Sequence, residues 1–549
     1  MEICNAFNDY FCNIGPNLVK LLPPTLANYV DYMSPSTLQS IDCEPVNFNE
    51  LVLLIQSLVT SKASGPDGIG AQLIKDNCEL LLEPLKFLFN LSLSKGVVPD
   101  VLKVAKVIPV FKKGDVHLSS NYRPISLLSI FNKLLEKVVY KRLYSFLEKN
   151  QILYKNQFGF RKNHSTAMAL LEVIDLCYQN FDNNNKVVGI YFDLQKAFDT
   201  VNHKILLHKL YNYGIRGVLY EWLKNYLTNR KQFTVVNNAT SSIGNITCGV
   251  PQGSVLGPLL FLIYVNDISN AVEGDLVKLF ADDTNLFMFG QNLSVLESEA
   301  NIVLKKMESW FVANKLSLNV DKTCYTILSK NKSQDLNSQE LKLYINNQLI
   351  NKVTSCKYLG VIIDETLDWK EHIEHVHKNL IKFTSIFYKI RNVLPFDCLK
   401  KLYFAFIHPH LLYGVEVYAN TTRSHLDRLI KLNNKLLRIL LNKRMETPVI
   451  NLYQTINVLP LPLLYEMQML VFVHKCHYKL NTPLIFRQYF FENNVIHSHN
   501  TRNNCDLHVK IVNSNVGQRC SLFCGSKLWN ALPRSLKNIS LPFKFKREL

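Results

Sequence analysis

Two apolar runs in this chain end in acids, and whatever it folds into must accommodate carboxylates at the ends of buried strands. Residues 187–194 form an apolar stretch interrupted at its far end by Asp193, and residues 277–289 form two apolar arms around Asp282-Asp283. The second pattern is that of a hairpin with acids at its tip. Singly, a strand-end Asp is more often a cap, and an Asp pair in a hairpin more often plain turn chemistry. Together they predict more. Three carboxylates brought within about 4 Å repel pairwise by about 1 kcal/mol in water and about 4 kcal/mol at an effective dielectric of 20, so something cationic must sit among them. Hard divalent ions with oxygen ligands fit, because magnesium takes few carboxylates and fills its shell with water and phosphate oxygens. A pair of such ions can activate a 3′-hydroxyl and stabilise a pyrophosphate leaving group.

The rest of the chain sets the scale. With 549 residues, 48% of them hydrophobic, it can bury several cores in roughly two to four domains. Lys and Arg outnumber Asp and Glu by 62 to 44, and the net charge of +18 favours a polyanionic partner. A membrane is the weaker choice. The start lacks a basic region followed by an apolar one, and the apolar stretch 456–473 is broken by Pro460, Pro462, Glu466 and Gln468. Thirteen cysteines without a CxxC pair argue against a disulfide framework and a zinc knuckle. Cys505, Cys520 and Cys524 beside His497 and His499 fit no standard zinc spacing.

Residues 1–59 look like a leader packed onto the residues C-terminal to it, with no enzyme legible in it. From Ser61 the turn signal Lys62-Ala63-Ser64-Gly65-Pro66-Asp67-Gly68-Ile69 opens an alternation of strands, loops and helices, including a long helix over 130–149. This mixed order predicts an α+β fold. Beyond Tyr358-Leu359-Gly360 the chain turns helical and basic. Leu429, Leu432, Leu436 and Leu440 take one helix face and Arg428, Lys431, Lys435 and Arg438 another.

The order of the motifs carries a family resemblance. After residues 62–69 come Val107-Ile108-Pro109-Val110-Phe111-Lys112-Lys113-Gly114-Asp115, Asn121-Tyr122-Arg123-Pro124-Ile125-Ser126-Leu127 and Gln157-Phe158-Gly159-Phe160-Arg161. Then come Phe192-Asp193-Leu194-Gln195-Lys196-Ala197-Phe198-Asp199, the Gly-rich run 249–258, residues 280–283, Leu316-Ser317-Leu318-Asn319-Val320-Asp321-Lys322-Thr323, and residues 358–360. In this order they resemble the reverse transcriptases of non-LTR, jockey-like retrotransposons, over about residues 60–364.

The resemblance implies a right-hand polymerase: fingers and palm over 60–364 (core about 89–364) with an antiparallel palm sheet, a helical thumb over 365–450, and a basic C-terminal region over 451–549. Its reaction would be RNA-templated addition of dNTPs to a primer 3′-hydroxyl with two Mg²⁺ ions, which Mn²⁺ can replace. Asp193, Asp282, Asp283 and the Leu194 carbonyl would hold the metals, and Lys322 would protonate leaving pyrophosphate. Lys112, with Lys113 as its rival, and Arg123 would clasp the triphosphate. Phe198 would exclude a 2′-hydroxyl, while Gln252 and Gly253 would lie against nucleotide and template. Arg428, Lys431, Lys435 and Arg438 would track a duplex backbone, and the tail, with nine Lys or Arg against two acids over 501–549, would add charge. The partners would be an RNA template, a DNA primer or nicked target DNA, and dNTPs, with no membrane. An endonuclease would come from a missing N-terminal part or in trans. The location would be intracellular, nucleus and cytoplasm, with no targeting signal identified. A catalytically silent relic that only binds RNA and a domesticated cellular reverse transcriptase remain the alternatives. Trp529-Asn530-Ala531-Leu532-Pro533 resembles a closing segment of such polyproteins and is assigned no chemistry.

Overall fold

The computed structural model describes residues 1–330, 340–496 and 504–549. It is a mixed α/β structure, as the α+β expectation has it. Among the described residues the helices up to residue 330 are α1 (Glu2–Lys20), α2 (Phe48–Gln56), α3 (Ala71–Asp76) and α4 (Cys78–Lys95), which precede the strands, and α5 (Ile130–Lys149), α6 (Thr166–Asp182), α7 (His203–Asn212), α8 (Gly217–Leu227), α9 (Leu256–Val265) and α10 (Leu293–Ala313), which are interleaved with them. One sheet is built from β1 (Val104–Phe111), β2 (Tyr122–Leu127), β4 (Arg230–Val236), β5 (Ala239–Thr240) and β6 (Gly244–Ile246). β1 pairs antiparallel with β2 and parallel with β4.

The second sheet carries the acids. Its strands are β3 (Lys186–Phe192), β7 (Val277–Phe280), β8 (Asp283–Gly290), β9 (Cys324–Leu328) and, beyond the two-residue strands β10 (Tyr344–Ile345) and β11 (Gln348–Leu349), β12 (Asn351–Lys352). The order is β12-β9-β3-β8-β7, antiparallel except for the β12–β9 pair. β13 (Ser355–Tyr358) and β14 (Val361–Asp364) form a separate hairpin.

Why the central strand reads as continuous apolar sequence is visible in its surroundings. Val188, Ile190 and Phe192 of β3 join one core with α5, α9 and α10, while Val187 and Tyr191 join another with α6 and the helices after residue 365. A sheet covered on both faces needs apolar side chains at successive positions instead of alternate ones. The helices Lys370–Ile390 and Arg423–Leu440 pack together, and the expected leucine stripe is buried: Leu429, Leu432, Leu436 and Leu440 all turn inward.

The C-terminal region belongs to the same second core. Asp175 of α6 is buried and accepts hydrogen bonds from the backbone N–H and hydroxyl of Ser521, and Asp182 accepts from Asn513 and Ser514. Trp529 is buried, and Asn530 pairs with both backbone groups of Leu507 at 2.8 Å. The segment that carried no chemistry in sequence is therefore a packing element. All thirteen cysteines are free thiols. His497 and His499 lie outside the described residues. Among the described residues no single helix is long and apolar enough to cross a membrane, although the bent pair Val449–Ile456 and Leu461–His477 passes together by length and composition.

Candidate active site

Strand register brings the acids together. β3 pairs with β8 through Phe192 opposite Thr284, so Asp193, one residue further, comes level with Asp283. Phe280 pairs with Asp283, leaving Ala281 and Asp282 as the two-residue connection of the β7–β8 hairpin. On the other side of β3, Leu194 bridges Leu318, the Asn319 N–H donates to the Asp193 carbonyl at 2.8 Å, and Lys322 lies on the 3₁₀ turn after it. The Lys322 Nζ lies 3.6 Å from an Asp193 carboxylate oxygen, both groups half-exposed.

These residues line a cleft of about 600 Å³ between the two sheets. Lys112, Lys113, Arg123, Asp193, Leu194, Phe198, Gln252, Asp282 and Lys322 all face it. Asp283 and Gly253 lie just outside its lining. Gly253 has φ +127°, and a Cβ there would sit 2.4 Å from the Ser126 carbonyl, so glycine lets the 249–257 loop close onto β2. The loop is fixed from behind by buried Glu136 of α5, which accepts from the N–H groups of Val255 and Leu256 at the start of α9. A carboxylate there satisfies orphan donors and the positive end of the helix dipole. The motif at 62–69 has a structural part too: Asp67 accepts from the Ser129 hydroxyl that caps α5.

Phe198 is held on three sides. Its ring stacks on Phe261 with centroids 4.5 Å apart, Phe160 meets it edge-on at 6.2 Å, and its carbonyl accepts from Val250. Gln252 has a partner the sequence did not suggest. Its amide donates to both carboxylate oxygens of Asp199, at 3.0 and 2.9 Å. Lys196, in the left-handed region at φ +48°, donates to the carbonyls of Ser120 and Tyr122 and so ties the acid-bearing loop to β2. Asp199 and Lys196 belong to the motif over 192–199, but their partners come from distant segments that its spacing does not reveal. Tyr10, Ile14 and Leu18 of α1 also line the cleft, and a Cβ on Gly15 would meet the Asp199 carbonyl at 2.3 Å. The leader is thus a wall of the site, a role its helical apolar spacing did not announce.

Burial pushes the Asp283 carboxyl up to about 6, with Asp282 and Asp193 adding to the rise. Burial also raises Asp282, and Asp193 adds to that while Arg123 and Lys112 oppose it. Among the described residues no three His, Cys, Asp or Glu side chains enclose an ion by themselves. The donor set nevertheless suits a hard ion that completes its shell with water and phosphate oxygens: carboxylates that crowd and raise one another beside a cationic wall. A carboxyl raised in the fold favours the protonated form, so its stability contribution is present below about pH 4 and lost as pH rises through about 6. A divalent ion competes with that proton. The affinity of this acid cluster for a divalent ion is therefore expected to fall roughly tenfold per pH unit below about pH 6. Metal titrations from pH 5 to 8 check this, and a flat profile counts against it.

The basic helix face divides. Lys431 and Lys435 are exposed. Arg428 pairs with Glu374 of the neighbouring helix, and Arg438 donates to the Thr447 carbonyl at 3.1 Å.

The chain matches the family model described as reverse transcriptase (RNA-dependent DNA polymerase) over residues 110–363. It is 30% identical over 428 residues to the RNA-directed DNA polymerase from mobile element jockey of Drosophila melanogaster, covering 76% of this chain and 46% of that protein. To the corresponding protein of Drosophila funebris it is 30% identical over 410 residues, covering 73% and 44%. The chain thus spans about half the length of these curated relatives.

Proposed function

Residues 110–363 belong to the reverse transcriptase family and the chain is homologous to non-LTR retrotransposon polymerases, and from that premise we propose that it adds dNTPs to a primer 3′-hydroxyl on an RNA template. In this reading the acid-bearing sheet is the palm, the β1–β2 sheet with its cationic hairpin is the fingers, and the helices after residue 365 are the thumb.

One observation carries the proposal: a single cleft collects Lys112, Arg123, Asp193, Asp282, Phe198, Gln252 and Lys322 from segments spread over 211 residues. Asp193, Asp282, Asp283 and the Leu194 carbonyl are the groups that would hold two magnesium ions, whose chemistry is to activate the attacking hydroxyl and stabilise the leaving pyrophosphate. Lys112 and Arg123 face the cleft where a triphosphate's charge would lie, Arg123 with a planar fork for phosphate oxygens. Lys196 shares that wall. Burial lowers its pKa, Asp199 opposes this, and Lys112, Arg123 and Lys322 lower it further, as expected where cations gather. Lys322 stands beside Asp193, within reach of a group leaving that carboxylate's neighbourhood. Primer extension on a homopolymeric RNA template with Mg²⁺ or Mn²⁺ tests the reading, and no incorporation under either metal overturns it.

Duplex binding would rest on the thumb helix, and here the ion pair of Arg428 matters. Arg428 and Arg438 already have protein partners, so Lys431 and Lys435 are the two of these four cations left to meet phosphates. Replacing both by Gln is expected to flatten log K against log[salt] by roughly 1.4 to 1.8, at about 0.7 to 0.9 per phosphate contact, without a change in melting temperature. Salt titrations of template-primer binding read that slope directly. An unchanged slope makes this face a solvated one.

A further inference from the structure

The Gln157-Phe158-Gly159-Phe160-Arg161 motif binds neither metal nor nucleotide in the polymerase reading, yet it touches the most constrained point of the site. Ala281 occupies the first central position of the β7–β8 hairpin with φ +58°. This is a left-handed conformation that suits Gly or Asn and strains an alanine. Such a residue keeps that conformation only where its surroundings over-determine it. Whether Asp282, the next residue, faces the cleft depends on it.

The surroundings are supplied by one segment. The Gln157 side chain is 2% exposed, and its carbonyl oxygen accepts from two backbone donors, the Gly159 N–H at 2.8 Å and the Ala281 N–H at 3.0 Å. Two N–H groups converging on one atom fix which end of the amide faces them. Gly159 permits the approach: a Cβ there would lie 2.3 Å from the Ala281 nitrogen. The segment makes a single parallel bridge to β7, Gln157 opposite Leu279, with Phe158 N–H donating to the Leu279 carbonyl at 2.9 Å and Leu279 N–H to the Asn156 carbonyl at 3.0 Å. Its far end is anchored to α5, where the buried Arg161 guanidinium meets Glu148 at 2.9 and 3.0 Å and also donates to the Tyr154 carbonyl. A brace rooted in a long helix therefore ends on the backbone N–H of the residue before Asp282.

We propose that Gln157 is a positioning residue for the metal-binding hairpin, holding Ala281 left-handed so that the Asp282 carboxylate faces the cleft. Its effect runs through a single turn, like that of outer-sphere groups that orient metal ligands and whose loss costs about 10- to 100-fold in affinity or activity. The inference rests on the polymerase reading for the identity of the ligand, but not for its test.

Gln157→Met keeps length and volume while removing the acceptor. Mn²⁺ binding followed by electron paramagnetic resonance is expected to weaken about 10-fold or more in this variant, with template-primer affinity unchanged. Adding Ala281→Gly, which makes the left-handed turn easier to populate without the clamp, should recover part of the loss. A merely structural role would not produce that recovery. Gln157→Asn, which keeps the amide one methylene short, should fall between wild type and Gln157→Met and serves if Met disturbs folding. Wild-type Mn²⁺ affinity in both single variants, or a loss that Ala281→Gly leaves untouched, overturns the proposal. The Mn²⁺ titration decides this point alone, while primer extension by the unaltered chain decides the polymerase reading.

Discussion

Asp193→Asn and Asp282→Asn are each expected to reduce nucleotide incorporation by about three orders of magnitude or more while template-primer binding stays near its wild-type value. The two acids line the same cleft from the end of β3 and from the β7–β8 connection, and each substitution removes a full negative charge from a site whose remaining charges are mostly cationic. Metal ions contribute several kcal/mol to charge stabilisation in such reactions, and each 1.36 kcal/mol is a factor of ten in rate. Binding should survive because the duplex would be held elsewhere, by phosphate contacts that these residues do not make. Single-nucleotide incorporation beside a binding titration separates the two effects. Extension within tenfold of wild type by either variant would sink the assignment of these acids, and parallel loss of binding would point to a damaged fold.

Phe198→Val is the second large effect: the ratio of ribonucleotide to deoxynucleotide incorporation should rise by about 10- to 100-fold, the scale on which pocket volume discriminates. Rigidity is the reason to expect so much from one ring. Phe261 stacks beneath it, Phe160 closes its edge, and the Val250 N–H fixes its carbonyl, so the ring cannot swing aside for an added hydroxyl. Valine removes the flat face and leaves the backbone bonds in place. Phe198→Tyr should stay near the wild-type ratio, since the ring plane is kept. A Val variant that polymerises with an unaltered ratio would make Phe198 a core aromatic and nothing more.

Several elements were legible because their signals are local. β3, the β7–β8 hairpin, α5 and the basic helix of the C-terminal half fall where apolar periodicity put them, since strand and helix periods are properties of short windows. Residues 71–95 form two helices, α3 and α4, divided at Asn77. The leader was the larger surprise. Its helix spacing was visible, but not the cleft wall that Tyr10 and Ile14 make, because Ser120 and Gln252, which line the cleft with them, and Asp199, which meets Gly15, come from distant segments.

Local spacing along the chain was enough to define the chemical inventory: acids at strand ends, an aromatic five residues after Asp193, a Gly-rich loop before α9, and a leucine stripe opposite cations. Each is a pattern within about a dozen residues, and the family order of the motifs linked them. Which side chain holds which was settled by the fold in three dimensions. Gln252 answers to Asp199 across 53 positions, Ala281 to Gln157 across 124, and Arg428 to Glu374 across 54, the last together with the Arg438 bond to the Thr447 carbonyl leaving Lys431 and Lys435 as the other half of a stripe that looks uniform in sequence. The physical reason is that a hydrogen bond or ion pair depends on a few ångströms of separation, and separation between distant segments is set by how sheets register and helices pack, which no short window encodes.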